Sequence, residues 1–268
     1  MPDLDLDRVL DTARRAVDAA STASLAHFHR GVQVEVKPDR TPVTAADRDS
    51  EAAILEVIRA AFPDHGVLGE ETGAHEGAGA TRWIVDPIDG TRGFTRGGSF
   101  WGPLVACEHQ GRIVAGAMAL PALSESYWAA KGMGAFVQRG AEAPTRLRVS
   151  GIPTWADATV SLGELRFLLE ANLSPPIVRL TTSAAQARCY GDLAGCAMVL
   201  TGRAEAWIEA GVKIWDLAPL QILVEEAGGR FTDFAGKPTV ASGHCVASNG
   251  KVHDHVLAAL RHGYERLT

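Results

Sequence analysis

Trp83-Ile84-Val85-Asp86-Pro87-Ile88-Asp89-Gly90-Thr91 runs from three apolar residues straight into two acids, a proline and a glycine. The apolar triplet suits a buried strand, and Pro87 cannot donate to a sheet ladder, so the strand is expected to end at Asp86. With φ fixed at Pro87 the chain turns at once and brings Asp89 back to the side of Asp86. Two carboxylates so placed repel unless a cation lies between them, and hard oxygen donors suit Mg²⁺. The competing reading is a surface turn, since Asp, Pro and Gly are all turn formers. An EF-hand loop fails on spacing, because Ile88 occupies a ligand position and no glutamate follows at the required distance. An aspartyl nucleophile of the Asp-x-Asp kind would need a second acid where Ile88 stands.

The rest of the chain bounds what such a site could serve. Its 268 residues can bury a large core, in one domain or two closely packed ones, and 46% hydrophobic content is that of a globular protein. Lys and Arg total 26 against 32 acids, a net charge of -6 with no basic block, which argues against a nucleic-acid partner. No apolar run is long enough for a bilayer, and Met1-Pro2-Asp3-Leu4-Asp5 is acidic where a secretory signal is basic. Cys107, Cys189, Cys196 and Cys245 form no Cys-x-x-Cys pair, as expected of a cytoplasmic protein. The pairs His27/His29 and His253/His255 stand two apart in helical stretches and so face different ways, which makes them non-ligands.

Apolar residues from Leu6 to Ala20 recur at three- and four-residue steps, predicting a helix that reaches Phe28. Val32, Val34 and Val36 alternate as a strand closed by Pro38, and a turn through Asp39 and Pro42 follows. Thr44 opens a second helix ended by Pro63. Asp47 then reads either as part of a capping box or as a functional acid. Val67-Leu68-Gly69 leads into Glu70-Glu71, and Thr72 to Ala80 reads as a flap of small and polar residues. Residues 101–149 are short apolar runs between turns, an antiparallel meander. A strand from Ala158 to Leu162 and a helix from Glu164 to Asn172 precede Pro175-Pro176, taken as a break and the best hinge candidate. Asp192 is placed to cap a helix that Gly202 ends. Ala204 to Glu209 alternates as a strand, and Ile214-Trp215-Asp216 reads as a strand end before a helix from Leu217 to Ala227. Asp216 is there either an N-cap or a further carboxylate for the Asp86 cluster. Phe231, Val246 and a helix from Val252 to Leu260 complete a second α/β section.

Gly69-Glu70-Glu71, the Trp83 to Thr91 stretch, and Trp215-Asp216-Leu217-Ala218 running to Glu226-Ala227-Gly228-Gly229 together resemble the inositol monophosphatase family, and Thr44-Ala45-Ala46-Asp47 is similar to its upstream motif. The resemblance extends from the first helix to the last. It implies a layered α/β fold, the αβαβα sandwich of the inositol monophosphatase and fructose-1,6-bisphosphatase type, with residues 1–150 as one subdomain carrying most metal ligands and 151–268 as a second supplying Asp216 and substrate contacts. It further implies that Glu70, Asp86 and the main-chain oxygen of Ile88 hold one Mg²⁺ and that Asp86, Asp89 and Asp216 hold a second, with a third, weaker ion near Glu70. Thr91 and Asp47 would orient or deprotonate the attacking water, with Glu70 assisting through the first ion, while the main-chain N–H groups of Gly90 and Thr91 would receive phosphate oxygens.

Within the family, Arg188 to Asp192, Thr201-Gly202-Arg203-Ala204, Thr41 to Arg48 and Gly66 to Glu71 resemble the histidinol-phosphate phosphatase branch. The expected activity is hydrolysis of L-histidinol phosphate in histidine biosynthesis, by a homodimer. Asp192, where it is not a helix cap, would pair with the substrate ammonium, and Glu209 matches a substrate-contacting glutamate of the wider family. Arg92-Gly93 depart from the Lys or Thr followed by Asn usual in both branches, and Arg96 adds another cation. The alternatives are inositol-1-phosphate, a nucleotide 3′-phosphate or a sugar bisphosphate as substrate, or a silent metal-dependent binder of phosphorylated ligands.

Overall fold

In the computed structural model, which describes residues 4–28, 34–36, 42–170 and 172–264, helix α1 (Leu6–His27) buries the stripe Val9, Ala13, Ala16, Val17 and Ala20. Asp5 caps it by accepting from Arg8 N at 3.0 Å. The small residues in that stripe let helix α2 (Ala45–Ala61) lie close alongside. Between them, β1 (Val34–Val36) pairs antiparallel with β2 (Pro42–Thr44), so Pro42 begins a strand where a turn was expected. Val32, Pro38 and Asp39 lie outside the described residues.

The first sheet contains β3 (Gly66–Gly69), β4 (Gly73–His75) and β5 (Thr81–Asp89), then, after a helical turn α3 (Thr91–Phe94), the strands β6 (Gly102–His109), β7 (Arg112–Leu120), β8 (Glu125–Ala130), β9 (Gly134–Arg139) and β10 (Thr145–Arg146). Its order is β10-β9-β8-β7-β6-β5-β3-β4, so residues 101–149 form the expected meander. The expected flap is in part edge strand: β4 pairs with β3, and Ala78 N donates to Asp64 O at 2.8 Å. Strand β5 also outruns the expected stop at Asp86. It continues to Asp89 because its register against β6 shifts there, which leaves the donor-less Pro87 where the ladder is already broken.

The second sheet, of order β12-β11-β13-β15-β14, is built from β11 (Thr159–Leu162), β12 (Gln186–Arg188), β13 (Ala206–Ala210), β14 (Arg230–Thr232) and β15 (His244–Ser248). Helices α4 (Leu165–Glu170), α5 (Ser174–Ser183), α6 (Asp192–Leu200), α7 (Ile214–Glu226) and α8 (His253–Tyr264) are threaded between these strands. Three expectations are corrected here. Pro175 and Pro176 occupy the first turn of α5, where a missing N–H costs nothing, and are no break. Helix α7 begins at Ile214, so Ile214 and Trp215 are helical. The β13 residues are buried on both faces, because neighbouring strands flank them and helices cover both sides.

Three apolar clusters stack these pieces into layers. Val9, Ala16 and Ile54 meet Val85, Val105 and Ala117 on the outer face of the first sheet. Leu193, Val199, Leu220 and Leu223 of α6 and α7 fill the space between the sheets, against Leu104 and Met118 on one side and Trp207 and Ala247 on the other. Ile177, Leu180, Val256 and Leu260 of α5 and α8 cover the far face. The order is αβαβα, as expected. No helix among the described residues is long and apolar enough to cross a membrane.

His253, at the start of α8, is fully buried between Thr232 Oγ1 (2.9 Å) and Ser248 Oγ (2.8 Å). Burial, helped by the Arg230 charge, holds it down from 6.5 to about 4. A depressed histidine contributes its full stability above the unfolded value and loses it as pH falls toward the folded one. Urea unfolding of the wild type is therefore expected to weaken between pH 6.5 and 4 with a contribution of about 1.4 kcal/mol per pH unit from this group. His253→Gln should lower stability at neutral pH and flatten that part of the acid limb.

Candidate metal and phosphate site

The parallel pair β3–β5 ends at Gly69 opposite Val85, so the next residues, Glu70 and Asp86, stand side by side where β3 stops. Glu70 N donates to Val85 O at 3.2 Å and anchors that end. In a regular strand, Asp86 and Asp89 would point to opposite faces. The β5–β6 register pairs Asp86 with Leu104 and Asp89 with Gly102, leaving one extra residue on β5, and this bulge turns both acids to one side. Asp86 Oδ1 accepts from Ile88 N at 2.9 Å and fixes the turn. Gly90 follows at φ 80°, and a Cβ there would stand 2.8 Å from Phe100 O, so the turn into α3 requires glycine.

Asp216 arrives from the first turn of α7, its Oδ2 accepting from Lys213 N at 2.7 Å. Carboxylate oxygens of Asp86, Asp89 and Asp216 all lie within 4.8 Å of one another. Burial pushes all three up, Asp216 to about 7 and Asp86 and Asp89 well above their ordinary range. For Asp86 the charges of Glu70, Asp216 and Asp89 add to burial, in that order. Glu70 lines the same cleft, of about 290 Å³, although the mutually close group consists of the three aspartates.

Asp47 resolves its two readings by dividing its oxygens. Oδ2 accepts from Thr44 N and Thr44 Oγ1, each at 2.7 Å, completing the capping box of α2, while Oδ1 receives Thr91 Oγ1 at 3.3 Å. Ile88 O lies 2.9 Å from the same hydroxyl, so the single Thr91 proton has two acceptors to choose between. Asp192 does not cap α6. Gly191 stands at the N-cap and Asp192 is the first helical residue, while Leu193 N donates at 2.7 Å to Asp89 Oδ2 from the other sheet. Asp192 instead lines the cleft in a left-handed conformation, φ 54°, which Asp tolerates better than most residues. Glu209 is only 2% exposed and sits behind the cleft wall.

Residues not singled out in the sequence also belong here. Glu164, Lys213 and Trp215 line the cleft together with Arg92. Glu51, buried on α2, accepts from Glu71 N (2.9 Å) and Thr72 N (2.8 Å) and so holds the turn that carries Glu70. Its spacing of four from Asp47 on one helix face was the available signal. His27 pairs with Asp49 and His253 is hydrogen-bonded in the core. The four cysteines are free thiols.

A cluster of desolvated carboxylates whose donors are all oxygen fits a hard divalent cation, which would offset the repulsion that raises their pKa values. Compared with known proteins, residues 5–266 match the profile of the inositol monophosphatase family. The chain belongs to the inositol monophosphatase family. It is 39% identical to a histidinol-phosphatase of Mycobacterium tuberculosis over 87% of this chain and 89% of that relative. It is 37% identical to one of Streptomyces coelicolor over 98% and 100%. An inositol-1-monophosphatase of Mesorhizobium japonicum is 34% identical over 87% of each chain. Among solved inositol monophosphatase structures, that of Thermotoga maritima superposes with a TM-score of 0.84 at 31% identity, covering 98% of this chain and 100% of that one. Like its family, the chain is a phosphoric monoester hydrolase.

Asp86→Asn removes one of the repelling charges. In chelator its melting temperature should exceed that of the wild type, by ~2–4 °C for each kcal/mol of relieved repulsion. The rise that a divalent cation produces in the wild type should disappear in the variant. Scanning fluorimetry with and without the ion reads both effects.

Proposed function

We propose that this chain is a Mg²⁺-dependent phosphatase that converts L-histidinol phosphate to L-histidinol and inorganic phosphate. The observation that carries the substrate reading is Asp192, a carboxylate spared from helix capping and turned into the cleft beside the aspartate cluster. It suits a substrate with a phosphate at one end and an ammonium near the other. The resemblance to histidinol-phosphatases over nearly the whole chain supports the same choice.

On this reading Glu70, Asp86 and the Ile88 carbonyl hold one Mg²⁺, and Asp86, Asp89 and Asp216 a second. When bound, the ions supply Lewis acidity at the phosphate and lower the pKa of a water. The chain's own groups do the rest. Main-chain N–H groups of Gly90 and Thr91 take phosphate oxygens at the α3 turn. Thr91 Oγ1, held between Asp47 and the Ile88 carbonyl, orients the attacking water and passes its proton to Asp47. Glu70 keeps negative charge beside that relay. Arg92 and Lys213 add positive charge at the mouth. The proposal includes a homodimer acting in histidine biosynthesis in the cytoplasm, with two subdomains dividing near residue 150.

Phosphate release from histidinol phosphate, inositol-1-phosphate, adenosine 3′,5′-bisphosphate and fructose-1,6-bisphosphate, with and without chelator, tests this. Histidinol phosphate should lead in kcat/KM by about tenfold or more. Comparable rates on histidinol phosphate and inositol-1-phosphate would overturn the substrate assignment, and release from none of the esters would favour a silent binding protein. Thr91→Val should lower kcat by about 10²-fold or more while leaving the cation-induced melting shift in place.

A further inference from the structure

Asp192 shares its wall of the cleft with a second carboxylate that takes no part in the aspartate cluster. Glu164 follows β11, Asp192 opens α6, and both line the cleft. No ion pair joins either acid to a lysine, arginine or histidine among the described residues. Both residues are exposed at the cleft, yet the loss of water around the Asp192 carboxyl and then the Glu164 charge push it up to about 6, so the two repel. Two acids held together with no ion-pair partner among the described residues leave a place for a cation.

What holds them together lies underneath. Glu209 Oε1, on β13, accepts from Glu164 N at 2.9 Å and from Ala210 N at 3.1 Å. The Asp192 N–H favours the charged form of the same carboxylate without making a hydrogen bond of ordinary geometry. Gly163 permits this contact, since a Cβ there would overlap the Glu209 carboxylate, and Gly163 N is tied to Ile208 O at 2.8 Å. Glu209 Oε2 is buried and has no hydrogen-bond partner among the described residues, and a Cβ on Gly191 would stand 3.6 Å from it. The unpartnered oxygen therefore faces the gap between the two loops that carry Glu164 and Asp192.

We propose that Glu164 and Asp192 form a carboxylate pair that receives the ammonium of the substrate's leaving alcohol, and that Glu209 is the positioning residue that sets their spacing without touching the substrate. The proposal rests on the phosphatase reading above and deepens it. Glu164 becomes a determinant of substrate choice. Glu209, expected to be a contact, acts through the main chain of its neighbours.

Steady-state kinetics of the wild type, Glu164→Gln and Glu209→Gln on histidinol phosphate and on glycerol 2-phosphate, which has no ammonium, decide the matter at saturating Mg²⁺. Glu164 is exposed, so its amide variant should fold normally. Glu164→Gln should raise KM for histidinol phosphate by about tenfold, the scale of one charge-assisted contact, with kcat nearly unchanged and KM for glycerol 2-phosphate not raised. Glu209→Gln keeps an acceptor oxygen for the Glu164 N–H, so it should retain the preference for histidinol phosphate. Equal KM changes on both esters in Glu164→Gln would overturn the ammonium pair. Loss of the preference in Glu209→Gln as large as in Glu164→Gln would overturn the positioning role. A Mg²⁺ titration of Glu164→Gln that lost one ion would show the pair to be a cation site instead. If the wild type itself shows no preference for the amine ester, the substrate reading fails. A wild type that prefers it, with a Glu164→Gln variant that still does, sinks only this inference.

Discussion

Mutual repulsion among carboxylates brought out of water is the constraint on which this molecule depends. Asp86, Asp89 and Asp216 come from a strand end, the far side of its bulge and the start of a distant helix, and each would be more stable apart from the others in water. What keeps them in place is a repeated device. Asp86 accepts from Ile88 N, Asp89 from Leu193 N, Asp216 from Lys213 N and Asp47 from Thr44 N. Each acid uses an oxygen to satisfy a backbone N–H, a local one except at Asp89, where it belongs to Leu193 of α6, and keeps the other on the side of the cluster. At Asp47 and Asp216, where the sequence poses a choice between structural cap and functional acid, a capping contact therefore leaves a second oxygen for the site.

The layer order explains how acids far apart in the chain can be held so closely. Helices α6 and α7 are packed on both sides, by Leu104 and Met118 of the first sheet and Trp207 and Ala247 of the second. A helix clamped between two sheets cannot shift without disturbing both cores, because protein interiors are close-packed. Asp216 rides on α7 and the Asp192 loop opens α6, so the site is assembled where the middle layer meets the ends of the strands.

Much of this was legible from residue order, for identifiable reasons. The α1 stripe, the Thr44 cap and the meander follow from period and turn chemistry, which are local. The motif acids were legible because strand end, proline and glycine stand in one short run. The continuation of β5 past Pro87 was not, since a bulge is a property of the ladder with β6 rather than of β5 alone. Pro175-Pro176 look the same on paper whether they end a segment or start a helix. Glu164 and Glu51 gave weak signals because their roles depend on partners 45 and 20 residues away. The burial of Glu209 likewise depends on the pairing of β13 with β11 and β15.

The hydrogen bond from Leu193 N to Asp89 Oδ2 joins the aspartate cluster to the loop that bears Asp192. At 2.7 Å it leaves little slack, so the two ends of the cleft behave as the jaws of a caliper set to one opening. On the proposed reading, an amino alcohol ester one methylene shorter or longer than the preferred molecule can seat its phosphorus or its nitrogen, and not both. Selection by length would then come from the first sheet gripping a helix of the second rather than from the shape of any pocket.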